Sequence, residues 1–295
     1  MLKTWFVALR PWSFTASLIP VSLGAILAWN EGYFHPLLFV LSLIGGVAMH
    51  AGTNLINTYG DYLSGVDTEE SAPTCPQLVK NILKPEDMRL VGIGFFIFTI
   101  AIGLYLIKVR GMLLLLIGFL GIIGGYGYTL GIAYKYKGLG VFLVFILMGP
   151  MMVWGAYFVQ TGVSSWLPVW ASLPIGFLVS AIMHGNDFRD IDYDRQAGIK
   201  TLAIFLDKEN SAKFYCFLNL APVVSIVVLV GLRILPFIAL LPLLLLPQIR
   251  QIIMDIKAAG QGDRKKLGAL EQASAQLHFT FGSLFVVAML INLAL

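Results

Sequence analysis

Charge is scarce in this chain. Only 12% of its 295 residues are Asp, Glu, Lys or Arg, against about 25% in an ordinary soluble domain. Twenty bases and 16 acids leave a formal net charge of +4, which says little by itself; no nucleic acid is expected among the partners. Two cysteines, Cys75 and Cys216, exclude a disulfide framework and a Cys-x-x-Cys metal site. No small-residue cleavage site follows the first apolar segment, which therefore reads as a span and not as a removable signal. The remainder is apolar: 58% of residues are hydrophobic and the mean hydropathy is +0.83. A chain of this kind is an integral membrane protein, and an all-α one, because many runs approach the roughly 20 apolar residues that a spanning helix needs.

Nine spans are expected, at 13–29, 36–59, 89–107, 112–131, 139–161, 167–186, 211–231, 235–254 and 274–294. The loops between them alternate in character. Seventeen of the 20 Lys and Arg fall on the N-terminal side of the membrane, and only Lys108, Arg110 and Arg233 fall on the other. By the positive-inside bias the N-terminus is cytoplasmic and the C-terminus lies across the membrane. Acids contribute little to that bias, yet all but Glu31 follow it. The chemistry therefore belongs to the cytoplasmic face, where two long loops, 60–88 and 187–210, each begin with carboxylates at the end of a span.

The densest of these stretches is HGNDFRDIDYDRQAGIKTLA, residues 184–203. Carboxylates at the end of an apolar segment are costly unless a positive charge meets them. On a helix Asn186, Asp190 and Asp194 lie one turn apart and share a face. Oxygen donors arranged in this way suit a hard divalent cation, Mg2+ above all. Arg189, Arg195 and Lys200 interleave with them, a mixture suited to a metal-bound anionic substrate such as a diphosphate. Asp187 and Asp192 should point elsewhere and matter less. The first long loop opens in the same way. In NLINTYGDYLSGVD (54–67), Asn57 and Asp61 are one turn apart and stand 129 residues before Asn186 and Asp190. Gly65 is expected to end that helix. A carboxylate at a helix C-terminus opposes the dipole, so a bound cation explains its placement better than capping does. The repeated offset suggests two related halves, each giving one metal-binding helix end.

Other polar residues have ordinary explanations. Lys135 and Lys137 can be topology-setting charges, and His50, His184 and His278 can be satisfied core histidines. Tyr59, Tyr128 and Tyr157 are candidates to line a substrate cavity. Pro20, Pro150, Pro168 and Pro174 are candidate kinks. Residues 257–271 read as a plain polar loop.

The two motifs together resemble the paired aspartate-rich motifs of the UbiA superfamily of intramembrane prenyltransferases. LRPWSFTASLIPVSLG (9–24), NLINTYGDYLSGVD, YKYKGLG with AYFVQTG (156–162), and RDIDYDRQAGIKTLA resemble the 1,4-dihydroxy-2-naphthoate branch. Asn57-Thr58-Tyr59 is especially similar to its animal, menaquinone-forming members. The likeness covers nearly the whole chain in matching order. It implies a single domain over 1–295, with the first metal motif at 54–67 and the second at 186–198. It implies nine transmembrane helices around a central cavity under a cytoplasmic cap. It also implies two Mg2+ ions bridging the diphosphate of a polyprenyl donor, one held by Asn57 and Asp61, the other by Asn186, Asp190 and Asp194. Asp61, Asp190 and Asp194 would then be catalytic. Asn54, Lys80, Tyr128, Lys135, Lys137, Arg189 and Lys200 would bind substrate, with Lys135 on the diphosphate. The implied partners are a polyprenyl diphosphate, an aromatic acceptor and the bilayer, with a plasma membrane as the default location.

Two departures qualify the resemblance. The segment TCPQLVKNILKPED (74–87) has Pro76 and Asn81 where relatives carry bases, leaving Lys80 as the substitute. Val141 stands where an acid is frequent, which bears on the acceptor. 4-Hydroxybenzoate, homogentisate, a tetrapyrrole or a glyceryl phosphate lipid are alternative acceptors. An ion-coupled transporter is the alternative of a different class, but it would place its carboxylates near the bilayer midplane.

Overall fold

The computed structural model describes residues 1–71 and 75–295. Thr74, which opens the departing segment 74–87, lies outside the described residues. Among those residues the regular structure is helical, and extended backbone pairs only in an isolated bridge between Lys137 and Lys200.

The chain begins with α1 (Leu2–Leu9) and α2 (Thr15–Asn30), joined at an elbow bent by 48°. Then come α3 (Pro36–Leu63), α4 (Pro85–Arg110), α5 (Leu113–Tyr126), α6 (Gly140–Ile146) and α7 (Met152–Thr161). A π segment, Leu147–Met151, joins α6 to α7 and contains Pro150. The second half holds α8 (Leu167–Ala171), α9 (Leu173–Arg189), α10 (Ile191–Gln196), α11 (Leu202–Gly231), α12 (Leu246–Gly260) and α13 (Arg264–Asn292). A 3-10 segment, Phe237–Leu245, leads into α12.

Helical structure occupies every segment expected to span, but the lengths differ. Among the described residues six helices are long and apolar enough to cross a bilayer, or seven with α1 and α2 taken as one bent span. The segment 112–131 holds only the 14 residues of α5. The segment 167–186 is broken at Ser172 into α8 and α9. Pro168 and Pro174 sit in the first turns of those helices, where the missing N–H costs nothing, so they start helices and do not kink them. Pro20 and Pro150 do lie inside helical structure.

Two helices begin earlier than hydropathy suggests. Helix α11 starts at Leu202, with Asp207 (φ 62°) marking a break between two helical pieces. Helix α13 starts at Arg264, where the Asp263 carboxylate accepts from the Lys266 N–H at 3.0 Å. Most of the stretch expected to be a polar loop, 257–271, is therefore helical. Its polar turns extend an apolar span, and hydropathy alone does not register them.

Three buried clusters hold the helices together. The largest joins Leu23 and Leu27 of α2, Ile175 and Leu178 of α9, and Phe281 and Phe285 of α13. A second joins Leu38, Ile102, Leu106 and Phe158. The third, with Ala8, Leu55, Cys75, Leu78 and Met88, packs the loop after α3 against α1 at one end of the bundle. Outward-facing Phe98, Leu104, Leu116, Phe119 and Val224 are exposed. On a membrane protein that surface meets lipid. Helices α2 and α7 approach so closely that a Cβ on Gly24 would lie 2.2 Å from the Val153 carbonyl oxygen.

Candidate active site

Helix α3 ends as expected. Gly65 takes φ 72°, and the Val66 N–H turns back to the Asp61 carbonyl at 2.9 Å. This stop leaves Asn57 and Asp61 in the last turns, facing inward and buried. Helix α9 ends at Arg189, and Asp190 forms the joint with α10. The Asp194 N–H still bonds to the Asp190 carbonyl at 2.8 Å, so Asn186, Asp190 and Asp194 keep a common side across the break. The two helix ends face each other over a cavity of about 280 Å³, lined by Asn54, Asn57, Asp61, Asn186, Asp190 and Asp194.

The loop between α5 and α6 closes over the first motif. Lys135 is buried and binds Asp61 through both oxygens, at 2.9 and 2.7 Å. The Tyr136 hydroxyl donates to Asp61 Oδ1 at 2.7 Å. The Lys135 ammonium lies 5.8 Å from the ring centres of both Tyr128 and Tyr136, within range of a cation–π contact. Burial works against the charge on Lys135, but Asp61 more than offsets it and holds the pKa above the ordinary lysine value. The same loop touches the second half, since the Lys200 N–H donates to the Tyr136 carbonyl at 3.2 Å.

Access for this loop depends on Gly60. A Cβ there would lie 2.6 Å from Thr129 Oγ1 and 2.7 Å from Thr129 Cβ. Gly60→Ala is expected to push the loop off α3 and lengthen the Lys135–Asp61 contact. Overpacking of this kind costs about 1–3 kcal/mol. A lower thermal midpoint together with reduced turnover in detergent would show it; unchanged values in both would refute it.

In the second motif Arg189 grips both oxygens of Asp190, at 2.8 and 2.6 Å, and also pairs with Glu271. The Asn186 amide donates to Glu271 at 3.2 Å. Glu271 belongs to α13, within the stretch the sequence alone suggests is a plain loop, and it lines the cavity. Five carboxylates, Asp61, Asp67, Asp190, Asp194 and Glu271, thus surround the cavity against three cations, Arg10, Lys135 and Arg189. Burial first, and then repulsion by Asp61, pushes the Asp67 carboxyl up to about 6. Burial, with Asp190 and Asp61 adding to it against the pull of Lys135, pushes Asp194 up to about 7.

These features test whether a cation suits the site. The donors are hard oxygens, their charge is in excess, and the buried Asn57 Oδ1 has no hydrogen-bond partner. Among the described residues no three His, Cys, Asp or Glu stand close enough to form a metal cluster alone. The asparagines and a bound anion would have to complete the coordination. With that condition the residues fit Mg2+, which takes few protein ligands and accepts substrate phosphate oxygens.

Not every residue expected here reaches the cavity. Lys80 is exposed on the turn behind buried Gln77 and Leu78. Lys137 and Lys200 pair through their backbones and leave exposed side chains outside the cavity. Tyr59 does not line it, and Tyr157 lies at the far end, bonded to Glu31. Val141 is buried in the core. His184 is likewise a core residue, bonded to the Ser211 carbonyl. Asp192 is a surface group paired with Lys208. Asp187 does not line the cavity either; it is buried with Oδ1 unpartnered. Asn54 uses its amide to hold the elbow, donating to the Leu9 carbonyl at 3.0 Å and Ser13 Oγ at 3.1 Å.

Arg10, Tyr136, His50 and Glu271 are the participants that sequence reasoning missed. Arg10 reaches the cavity from the elbow, where its left-handed backbone (φ 53°) turns the side chain to donate to Thr58 Oγ1 at 2.9 Å. Its signal was present in the LRPW run, inside a segment that carries the family likeness.

Fold and site together define a helical membrane protein with a cavity ringed by five carboxylates and three cations. The model of the UbiA prenyltransferase family matches residues 17–270. Human UbiA prenyltransferase domain-containing protein 1 is 34% identical, over 98% of this chain and 83% of its own length. The Drosophila melanogaster homolog is 35% identical over 97% and 79%. A UbiA homolog from Archaeoglobus fulgidus bound to GPP and Mg2+ shares the fold, with a TM-score of 0.66 at 17% identity, over 99% of this chain and 100% of that one. The chain belongs to the UbiA prenyltransferase family, and it is an enzyme of prenyl transfer.

Proposed function

We propose that this enzyme transfers a polyprenyl group from polyprenyl diphosphate to 1,4-dihydroxy-2-naphthoate, with loss of CO2, to give a demethylmenaquinone. The observation that carries the reading is the meeting of two Asn-x-x-x-Asp helix ends, α3 and α9, over one cavity beside Lys135, Arg189 and Arg10. Asn57 and Asp61 would hold one Mg2+, and Asn186, Asp190 and Asp194 a second. When bound, the ions neutralise the diphosphate and make it a competent leaving group. Lys135, Arg10 and Arg189 add fixed positive charge where the leaving group's charge develops. Tyr128 flanks this region and anchors its hydroxyl on Met183 Sδ at 2.7 Å.

The cavity wall also includes Met49, Met148, Met151, Met152 and Met183, with Gly46, Gly121 and Gly125 among them. Thioether side chains repack around an irregular chain. An apolar wall also keeps water from the allylic cation until the ring attacks it. The naphthoate acceptor is supported by the segments around 134–162 and by the resemblance of Asn57-Thr58-Tyr59 to animal menaquinone-forming members. The other acceptors, 4-hydroxybenzoate, homogentisate, a tetrapyrrole or a glyceryl phosphate lipid, remain the alternatives, and a transporter is disfavoured because the carboxylates sit at helix ends.

In this reading the chain is one domain of two related halves. Nine helices span the membrane, the loops 60–88 and 187–210 cap the cavity, and the cap faces the cytoplasm of a plasma membrane. The deciding experiment supplies purified enzyme with Mg2+, prenyl diphosphates of several lengths and a panel of acceptors, and identifies products by mass spectrometry. Prenylated, decarboxylated naphthoquinol is the expected product. Efficient transfer to another acceptor with none to the naphthoate would overturn the assignment.

A further inference from the structure

The polar face of α3 does not stop at the metal motif. His50, Asn54, Asn57 and Asp61 are spaced 4, 3 and 4 residues apart, so they lie along one side of the helix. All four line the cavity. His50 stands seven residues below Asn57, about 10 Å along the axis at 1.5 Å per residue. It bonds through Nδ1 to Ser17 Oγ at 2.9 Å and through Nε2 to Ser13 Oγ at 3.2 Å.

The distances favour one arrangement of the protons. Ser13 has one hydroxyl hydrogen, and its shorter contact is with the Arg10 carbonyl, at 2.8 Å against 3.2 Å to His50 Nε2. Ser13 Oγ must then accept from the Asn54 amide and from His50 Nε2–H. Nδ1 is left unprotonated and accepts the Ser17 hydroxyl. Ser13 is thereby saturated. Ser17 keeps both lone pairs, and it also lines the cavity. A cavity-lining hydroxyl whose hydrogen is committed to an imidazole keeps acceptor capacity for a hydrogen-bond donor. On α13, Glu271 and Ala275 line the same cavity. His278, the next residue on that face, is buried behind the lining with neither ring nitrogen partnered.

We propose that Ser17, held by His50, binds a hydroxyl of the aromatic acceptor and so selects for hydroxylated rings. The acceptor hydroxyl donates to Ser17 Oγ. The ring lies between that anchor and the diphosphate clamp, within reach of the allylic carbon. Asn54 and Ser13 are positioning residues that set the His50 tautomer. This subsite rests on the reading of the cavity as a prenyl transfer site with an aromatic acceptor.

The test uses full-length enzyme in detergent with Mg2+ and pyrophosphate. Binding of 1,4-dihydroxy-2-naphthoate, 4-hydroxybenzoate and their hydroxyl-free counterparts, 2-naphthoate and benzoate, is read by quenching of tryptophan fluorescence, since Trp12 lines the cavity. Wild type is expected to prefer a hydroxylated ligand over its counterpart by about tenfold. Ser17→Ala should erase the preference, lower hydroxylated-ligand affinity by about tenfold, and leave the donor KM unchanged. Ser17→Thr should restore the preference. Equal wild-type affinity for each pair would overturn the proposal. So would a Ser17→Ala enzyme that keeps the preference or weakens both members equally, which would mean the network only ties α2 to α3. Discrimination for 4-hydroxybenzoate without transfer to the naphthoate would overturn the acceptor assigned above and leave this subsite standing.

Discussion

An Asp61→Asn enzyme is expected to lose prenyl transfer by about a thousandfold, the loss seen when a preorganised electrostatic group is removed from a reaction centre. The protein should still insert and fold. Asn keeps the shape, and with its oxygen in the Oδ1 position it keeps the one acceptor that Lys135 and Tyr136 both reach. What disappears is the negative charge that a divalent cation needs and that fixes Lys135 beside the cavity. Pyrophosphate release measured against Mg2+ concentration checks this, and near-normal turnover at millimolar Mg2+ would remove Asp61 from the site. Asp190→Asn should behave alike, with a smaller structural effect, because Arg189 keeps Glu271 as a second partner.

Lys135→Met carries the second large effect, and it is expected in two quantities at once. The donor KM should rise and kcat should fall, because in the proposed role the ammonium contacts the diphosphate in both the ground and transition states. Stability should fall as well. The Lys135 and Asp61 side chains are 9% and 5% exposed, and removing one partner of a buried pair costs about 3–5 kcal/mol. A cation can resupply the missing charge to Asp61. Mg2+ should therefore raise the thermal midpoint of Lys135→Met by more than it raises that of wild type, since ligands that bind only the folded state stabilise it by mass action. Equal Mg2+ shifts in the two proteins would separate Asp61 from the cation site. An unchanged donor KM and kcat would separate Lys135 from the diphosphate.

The helical membrane architecture and both motifs were legible because they rest on local signals. Long apolar runs need no partner to be recognised, and Asn57–Asp61 and Asn186–Asp190 are read from helical spacing alone. What escaped depends on contacts between distant parts of the chain. Glu271 meets Arg189 across 82 residues, from turns that were taken for loop because they continue an apolar span in polar residues. Arg10 gains its place from a left-handed backbone that no periodicity announces. His50 is a single histidine on an apolar helix, and only its serine partners on the elbow and α2 distinguish it from a packed core residue. The lysines misled for the opposite reason. Lys137 and Lys200 stand close in sequence to site residues, and Lys80 lies on the loop that follows the first motif, but a side chain on a turn points out as readily as in. Span lengths were blurred where the chain breaks mid-segment, at Ser172 between α8 and α9, without any change in hydropathy.

The origins of the two internal counter-charges bear on how the protein is made. Asp190 carries its cation on the adjacent residue, so that half of the clamp is neutralised as soon as it is synthesised. Asp61 waits for Lys135, 74 residues further along the chain. At about 5–20 residues per second, translation separates them by roughly 4–15 seconds. Throughout that interval the nascent first half presents an unneutralised carboxylate at the tip of α3, which must stay in water and cannot be drawn into the bilayer. Biogenesis thus has its own reason to keep this aspartate at a helix end, quite apart from catalysis.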